Sequence, residues 1–200
     1  MKVGLISDLH GDRVSLEQAL NALIGEHVDR IVCAGDLVEK GPDSEGVVTL
    51  VREYLIPSVQ GNHDANAVRH ARWPMPHEAE RSPLADDTIA WLDELPLTRD
   101  YMWEGQRVLM AHGTPGNQVG YVTPESIPKA FRRRLRTLDA DVLILGHTHI
   151  PMCLEIGHVT IVNPGSVCNL RPRDSHTCAI LHNHQLQFEH LQSPLRQVED

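Results

Sequence analysis

Seven side chains able to offer an oxygen or nitrogen to a cation recur just past short apolar runs. Asp8 and His10 follow GLIS, Asp36 follows VCAG, Asn62 follows SVQG, His112 follows VLMA, and His147 and His149 follow LILG. Taken singly, an Asp or His after a strand reads as a turn former or a helix cap. Together they read differently. Open α/β sheets gather their functional groups beyond the carboxyl ends of the strands. So many donors at one sheet edge would repel or stay unsatisfied unless a shared cation, or two, bound them. The set mixes carboxylate, imidazole and amide oxygen with no thiolate. That suits Mn, Fe, Co, Ni or Zn in a reactive site better than a closed structural zinc site.

Such donors need strands that end together. KVGLIS is followed by a helical pattern with Leu16, Leu20, Leu23 and Ile24 on one face, then by RIVCAG, which makes a βαβ opening. A helix from about Ser44 to Tyr54, a short strand ending in SVQG, and a helix from about Leu84 to Leu95 before Pro96 come next. Strand RVLMA, a helix from about Pro124 to Leu138 and strand DVLILG follow. VTIV, HTCAILH and QLQFEHL read as later strands joined by tight turns. Periodicity alone thus gives an α/β chain whose second half is richer in strands.

The chain has 200 residues, of which 41% are hydrophobic, enough for one compact domain over residues 1–200. No apolar run is long enough to span a bilayer, and MKVGLISDLHGD reaches acidic residues too soon for a signal peptide. Cys33, Cys153, Cys168 and Cys178 form no CxxC pair and read as reduced packing residues, so a cytoplasmic location is expected. A formal charge of -9 argues against a broad nucleic-acid surface, while a metal-lined pocket would still attract small anions. No GxSxG, P-loop or GxGxxG pattern is present, which leaves water as the expected nucleophile. The stretch Arg72 to Pro83 reads as an irregular excursion and the residues from Gln192 onward as a polar tail. Oligomeric state stays open, a homo-oligomer included.

The series DLH, GDLVEKG, GNHD, HG and GHTH resembles the calcineurin-like metallophosphoesterases over roughly Met1 to Asp174. The resemblance implies two facing mixed β-sheets flanked by α-helices. It implies that Asp8, His10, Asp36 and His149 hold one divalent ion, that Asp36, Asn62, His112 and His147 hold a second, and that Asp36 bridges them. Manganese is the first expectation for both. Two such ions, about 3.5 to 4 Å apart, can activate a water and clamp the oxygens of an in-line displacement at phosphorus. Two carboxylates facing two divalent ions leave a surplus of positive charge, which suits a phosphoester anion. In this family the position of His63 contacts phosphate and assists the leaving group, and Asn62 also faces substrate. The lesser alternative for His63 is a buried loop histidine bonded to Asp64.

Other segments bear on the substrate. GDLVEKGPD is similar to the longer motif of diadenosine tetraphosphatases and Ser/Thr protein phosphatases, with Lys40 where they place a phosphate-binding Arg and Gln60 where they place another. Lys40 keeps the charge and loses the bidentate fork, so it is a candidate phosphate contact or a solvated side chain. DLHGD is close to the DIHGN of small bacterial phosphodiesterases, with Asp12 in place of Asn. Asn163-Pro164-Gly165-Ser166 resembles a loop those enzymes keep near the site, or is a plain turn. Arg171 and Arg173 are candidate contacts to a second phosphate, or an exposed basic loop. FRRRLR reads as a solvated helix face, His182 and His184 as flanks of a hairpin, and Trp73 and His77 as candidate caps of a pocket. The expected activity is hydrolysis of a small nucleotide-like phosphoester, by a phosphodiesterase or phosphatase. A diadenosine polyphosphate hydrolase and a protein phosphatase are the alternatives within that class. A nuclease, and a non-catalytic scaffold similar to the retromer scaffold protein, fit less well; intact His10, His63 and His149 speak against the scaffold.

Overall fold

The computed structural model describes residues 1–73, 84–183 and 185–191. In chain order the elements are β1 (Lys2–Ile6), α1 (Arg13–Gly25), β2 (Arg30–Cys33), α2 (Ser44–Glu53), α3 (Asn62–Arg72), α4 (Asp86–Asp93) and β3 (Thr98–Trp103). Then come β4 (Gln106–Ala111), α5 (Lys129–Leu135), β5 (Val142–Ile144), β6 (Met152–Ile156), β7 (Val159–Asn163), β8 (Thr177–His182) and β9 (Gln185–His190). One sheet has the order β2-β1-β8-β9 and the other β3-β4-β5-β7-β6, each mixing parallel and antiparallel pairs.

Period-two alternation explains how the sheets stack. Val3 and Leu5 of β1, Val108 and Met110 of β4, and Val142 and Ile144 of β5 point into one shared core between the sheets. The intervening residues point outward. Ile6, Cys178 and Ile180 pack beneath α1 and α2, against Leu16, Leu20, Leu23, Val47 and Val51. Leu143 and Ile161 pack under α5, against Phe131 and Leu135. The result is two facing mixed sheets with helices on their outer faces. No helix among the described residues is long and apolar enough to cross a membrane.

Several local expectations change. Ile24 is 49% exposed, so the buried face of α1 is carried by Leu16, Leu20 and Leu23. The strand expected to end in SVQG shrinks to a single parallel bridge between Cys33 and Ser58, next to Pro57, which has no N–H to extend a ladder. The helix expected from Pro124 to Leu138 is confined to α5, because Thr123 and Ser126 close a turn and Pro128 precedes the first helical residue. Elements α3, β3 and β6 go beyond the sequence pattern; α3 buries only Asp64, Ala67 and Val68. Asp12 is the N-cap of α1, accepting from Ser15 N at 3.1 Å and also from Asn169 N at 3.0 Å. All four cysteines are free, with Cys153 exposed. Residues 74–83, His184 and the tail from Gln192 lie outside the described residues.

Asp64, fully buried in the first turn of α3, ties two loops together. Its carboxylate accepts from Asp36 N at 3.0 Å, Leu37 N at 2.8 Å, Val38 N at 3.2 Å and Gly61 N at 2.8 Å. Removing it leaves buried donors without an acceptor, each worth about 1–3 kcal/mol. Asp64→Ala should therefore lower the unfolding free energy of the metal-free chain by about 3 kcal/mol, read by chemical denaturation. A loss below about 0.5 kcal/mol would show these ties to be dispensable.

Candidate metal centre

The loops leaving β1 and β2 zip together: Asp8 N donates to Gly35 O at 2.9 Å, and His10 N to Asp36 O at 2.9 Å. Gly146 N donates to His112 O at 2.7 Å, joining the exits of β4 and β5, and Cys168 N reaches Asp8 O at 3.2 Å. Backbone approaches side chain closely here. A Cβ on Gly61 would stand 2.2 Å from Asp36 Oδ1, and one on Gly146 would stand 2.0 Å from Ser7 Oγ. Asp8, His10, Asp36, His147 and His149 all hold left-handed backbone, with φ of 54°, 48°, 57°, 67° and 61°. L-residues avoid that region, at a cost of about 1–2 kcal/mol each, and such residues concentrate at functional sites.

The donors converge in two adjoining groups, Asp8 with His10 and His149, and Asp36 with His112 and His147. In the first, His149 Nε2 is 3.3 Å from Asp8 Oδ1 and 3.1 Å from His10 Nε2. In the second, His112 Nε2 is 3.1 Å from Asp36 Oδ2 and 3.2 Å from Asn62 Oδ1. Asp36 Oδ2 also lies 3.7 Å from His10 Nε2, so it stands between the groups, where a shared ligand would have to be.

Two observations indicate that these residues fit divalent cations. Asp8 Oδ1 is buried with no hydrogen-bond partner, although its other oxygen accepts from Ser7 Oγ at 2.7 Å and His147 N at 3.0 Å. A buried carboxylate oxygen without a donor is costly unless a cation meets it. The outer nitrogens of two imidazoles are also committed elsewhere. His112 Nδ1–H donates to Ala34 O at 2.7 Å and His149 Nδ1–H to Asp174 Oδ1 at 2.8 Å, which turns each Nε2 inward.

The electrostatics point the same way. Burial alone would raise the carboxyl of Asp36, yet His112, His10 and His63 hold it well below the usual carboxylate range. Burial would likewise depress His112 and His149. Instead Asp36 raises His112 to about 9, and the hydrogen bond to Asp174 together with the nearby carboxylate of Asp8 raises His149 to about 11. His10 goes the other way, pushed down to about 4 by burial against the pull of Asp36 and Asp8. His147 is also lowered, by burial and then by the charge of His112. The carboxylates thus draw positive charge into the cluster, and two imidazoles supply it as protons.

Around this cluster the other residues sort clearly. His63 is bonded not to Asp64 but to Glu39: its Nδ1–H donates to Glu39 Oε2 at 2.5 Å, while its backbone N–H donates to Asp36 Oδ1 at 2.8 Å. Lys40 brings its ammonium to 3.2 Å from His10 Nε2. Arg171 lies with one guanidinium nitrogen 3.2 Å from His149 Nδ1 and 2.9 Å from Asp174 Oδ1. Arg173 is exposed and is not brought into the cluster. Asn163 of the NPGS run supports the GHTH loop, donating to Gly146 O at 2.7 Å. His182 is exposed beside Met1, at the opposite end of β1 from Asp8. Trp73 is exposed as well. Asp174, whose side chain is fully buried, and Glu39 are the partners that sequence reasoning missed. Glu39 sat inside the quoted GDLVEKG motif, whereas RPRD offered no spacing that would tie Asp174 to a histidine 25 residues earlier.

The chain is similar to known phosphoesterases over most of its length. The phosphodiesterase YfcE of Escherichia coli is 28% identical over 170 residues, covering 84% of this chain and 79% of that protein. The symmetrical bis(5'-nucleosyl)-tetraphosphatase of Proteus mirabilis is 34% identical over 122 residues, but the match spans only 56% of this chain and 44% of that enzyme. The crystal structure of a metallophosphoesterase from Sphaerobacter thermophilus superposes with a TM-score of 0.77 at 25% identity, covering 97% of this chain and 90% of the other. Residues 1–185 match the model of the calcineurin-like phosphoesterase superfamily domain. The chain belongs to that superfamily, a metal-dependent family of hydrolases of phosphoric esters.

Proposed function

We propose that this chain hydrolyses a small nucleotide-like phosphoester with two divalent ions, manganese the first candidate. Asp8, His10, Asp36 and His149 would hold one ion, and Asp36, Asn62, His112 and His147 the other. The observation that carries the reading is the convergence of these donors about two buried carboxylates, one with an oxygen that no hydrogen bond reaches. When bound, the ions supply Lewis-acid chemistry at phosphorus and lower the pKa of water. The chain's own residues do the rest. Glu39 fixes the ring of His63 through Nδ1, leaving Nε2 as the edge free to meet a substrate oxygen or protonate a departing one. Lys40 and Arg171 place positive charge beside His10 and His149, where further phosphates of a polyphosphate substrate would lie. That favours dinucleoside polyphosphate hydrolysis as the second reading. Exhaustive chelation should abolish turnover and manganese restore it; full activity in verified metal-free protein would sink the mechanism.

Metal binding should also release protons. With His149 raised to about 11 and His112 to about 9, both rings carry a second proton in the metal-free chain at pH 7.5. A ligating imidazole must be neutral. Loading both sites should therefore release about two protons per chain, and affinity should rise as pH climbs toward 9. Calorimetric titration with manganese in buffers of different ionisation enthalpy reads this directly. Release of less than about half a proton would refute the assignment of these two rings.

Asp174→Asn keeps the shape but weakens the acceptor that orients His149. Loss of such a partner typically costs 10–100-fold in metal affinity, and a loss of that size is expected here for the ion at Asp8. Unchanged affinity would make Asp174 a loop residue only.

His63→Asn should keep both metals and lower turnover by about 10² to 10⁴ for esters with a basic alkoxide leaving group. A nitrophenyl ester, whose leaving group departs unprotonated, should suffer much less. An identical loss on both substrates, with metal content verified, would reject His63 as an acid and leave phosphate positioning as its role.

A further inference from the structure

Tyr121 stands out among the exposed apolar side chains because of where it is held. Its ring meets the ring of His147 edge to face, with centroids 6.1 Å apart and planes at 84°, yet the residue is 55% exposed. An aromatic ring at the lip of a charged cluster, open to solvent on its remaining surface, does not serve the core.

The loop that carries it is built rather than loose. Thr114 and Asn117 exchange backbone hydrogen bonds at 2.8 and 2.7 Å, and Gly120 N donates to Asn117 O at 3.0 Å. Gln118 Nε2 donates to Gln60 O at 3.0 Å and Gly61 O at 3.2 Å, fastening the loop to the segment that presents Asn62 and His63. On the far side of Tyr121, Val122 and Thr123 are buried. The backbone that carries the ring is therefore anchored on both sides. The cations Lys40 and Arg171 stand beside His10 and His149, in the other donor group. Tyr121 thus adjoins a ligand of one donor group and the cations adjoin ligands of the other.

We infer that Tyr121 is the seat for a planar aromatic group of the substrate, a nucleobase, and so determines specificity at this site. The inference rests on the proposed phosphoesterase reading and names the substrate class within it. A base stacked on Tyr121 would be attached, through its sugar, to the phosphate held at the cluster, with any further phosphates directed toward Arg171. Stacking of this kind tolerates every base, so selectivity should be for a nucleoside over an aliphatic group rather than for one base over another.

The test is calorimetric binding of adenosine monophosphate and of inorganic phosphate to the manganese-loaded protein and to its Tyr121→Ala and Tyr121→Phe variants. In the wild-type chain the nucleotide should bind more tightly than phosphate. Tyr121→Ala should weaken the nucleotide by roughly 5- to 100-fold and move phosphate by less than about twofold, while Tyr121→Phe stays within about threefold of wild type for both. Equal weakening of both ligands in Tyr121→Ala would mark a structural role and overturn the proposal, as would a nucleotide affinity unchanged within about twofold. Turnover of bis(nitrophenyl) phosphate by the wild-type enzyme, measured alongside, separates the two readings. Turnover with no Tyr121 effect on nucleotide binding overturns only the base seat. Absence of turnover on any phosphoester overturns the phosphoesterase reading, and the binding comparison still decides the role of Tyr121.

Discussion

Two carboxylates buried next to one another, Asp8 and Asp36, impose the constraint from which the rest of this site follows. They are 0% and 1% exposed. In a medium that screens poorly, each raises the cost of ionising the other, and each must be met by donors or by positive charge. Backbone amides cover part of the need: His147 N reaches Asp8 and His63 N reaches Asp36. Imidazoles approach both carboxylates, and the ammonium of Lys40 and the guanidinium of Arg171 stand behind them beside His10 and His149.

Holding that charge in place has a conformational cost, visible in the backbone. Asp8, His10, Asp36, His147 and His149 lie in the left-handed region, and none of them is glycine. The loops keep this unfavourable geometry because they are cross-tied, by the hydrogen bonds between the β1 and β2 exits and by the four donors on Asp64. Asp64 itself is raised to about 6 by burial and by the nearby charge of Asp36. The site is thus stabilised by its surroundings rather than by its own local preferences, which is the usual condition for strained functional loops.

This division explains what could be read in advance. Every donor but Asn62 lies within five residues of a strand end, so linear motifs picked out Asp8, His10, Asp36, His112, His147 and His149 as one set, while Asn62 opens α3 after a single bridge. The short apolar runs in KVGLIS, RVLMA and DVLILG likewise marked strands, and both faces of these strands are covered in the fold. Helix α3 was hidden because NHDANAVRHAR has too few apolar residues to show a period, and its stability comes from Asp64 and the loops it holds. Strand β3 was hidden for a related reason: TRDYMW buries only Trp103 and is defined by its pairing with β4. Asp174 and Tyr121 were invisible because their roles exist only once β5, the NPGS loop and the loop after β4 meet in space.

The titration pattern adds a last step that neither motif nor fold contains. Each half of the cluster pairs one carboxylate with one imidazole that holds an extra proton and one that does not. Near Asp8, His149 is raised to about 11 while His10 is pushed down to about 4, with their Nε2 atoms 3.1 Å apart. Near Asp36, His112 is raised to about 9 while His147 is lowered. Two imidazolium rings at such a distance would repel strongly, so one proton per half is what the carboxylate can support. Without metal the carboxylate and two imidazoles of each half then carry no net charge among themselves. On the proposed reading a divalent ion replaces that proton, and each half gains a single positive charge. Loading thus adds positive charge to that of Lys40 and Arg171, so affinity for a phosphoester should rise with metal occupancy.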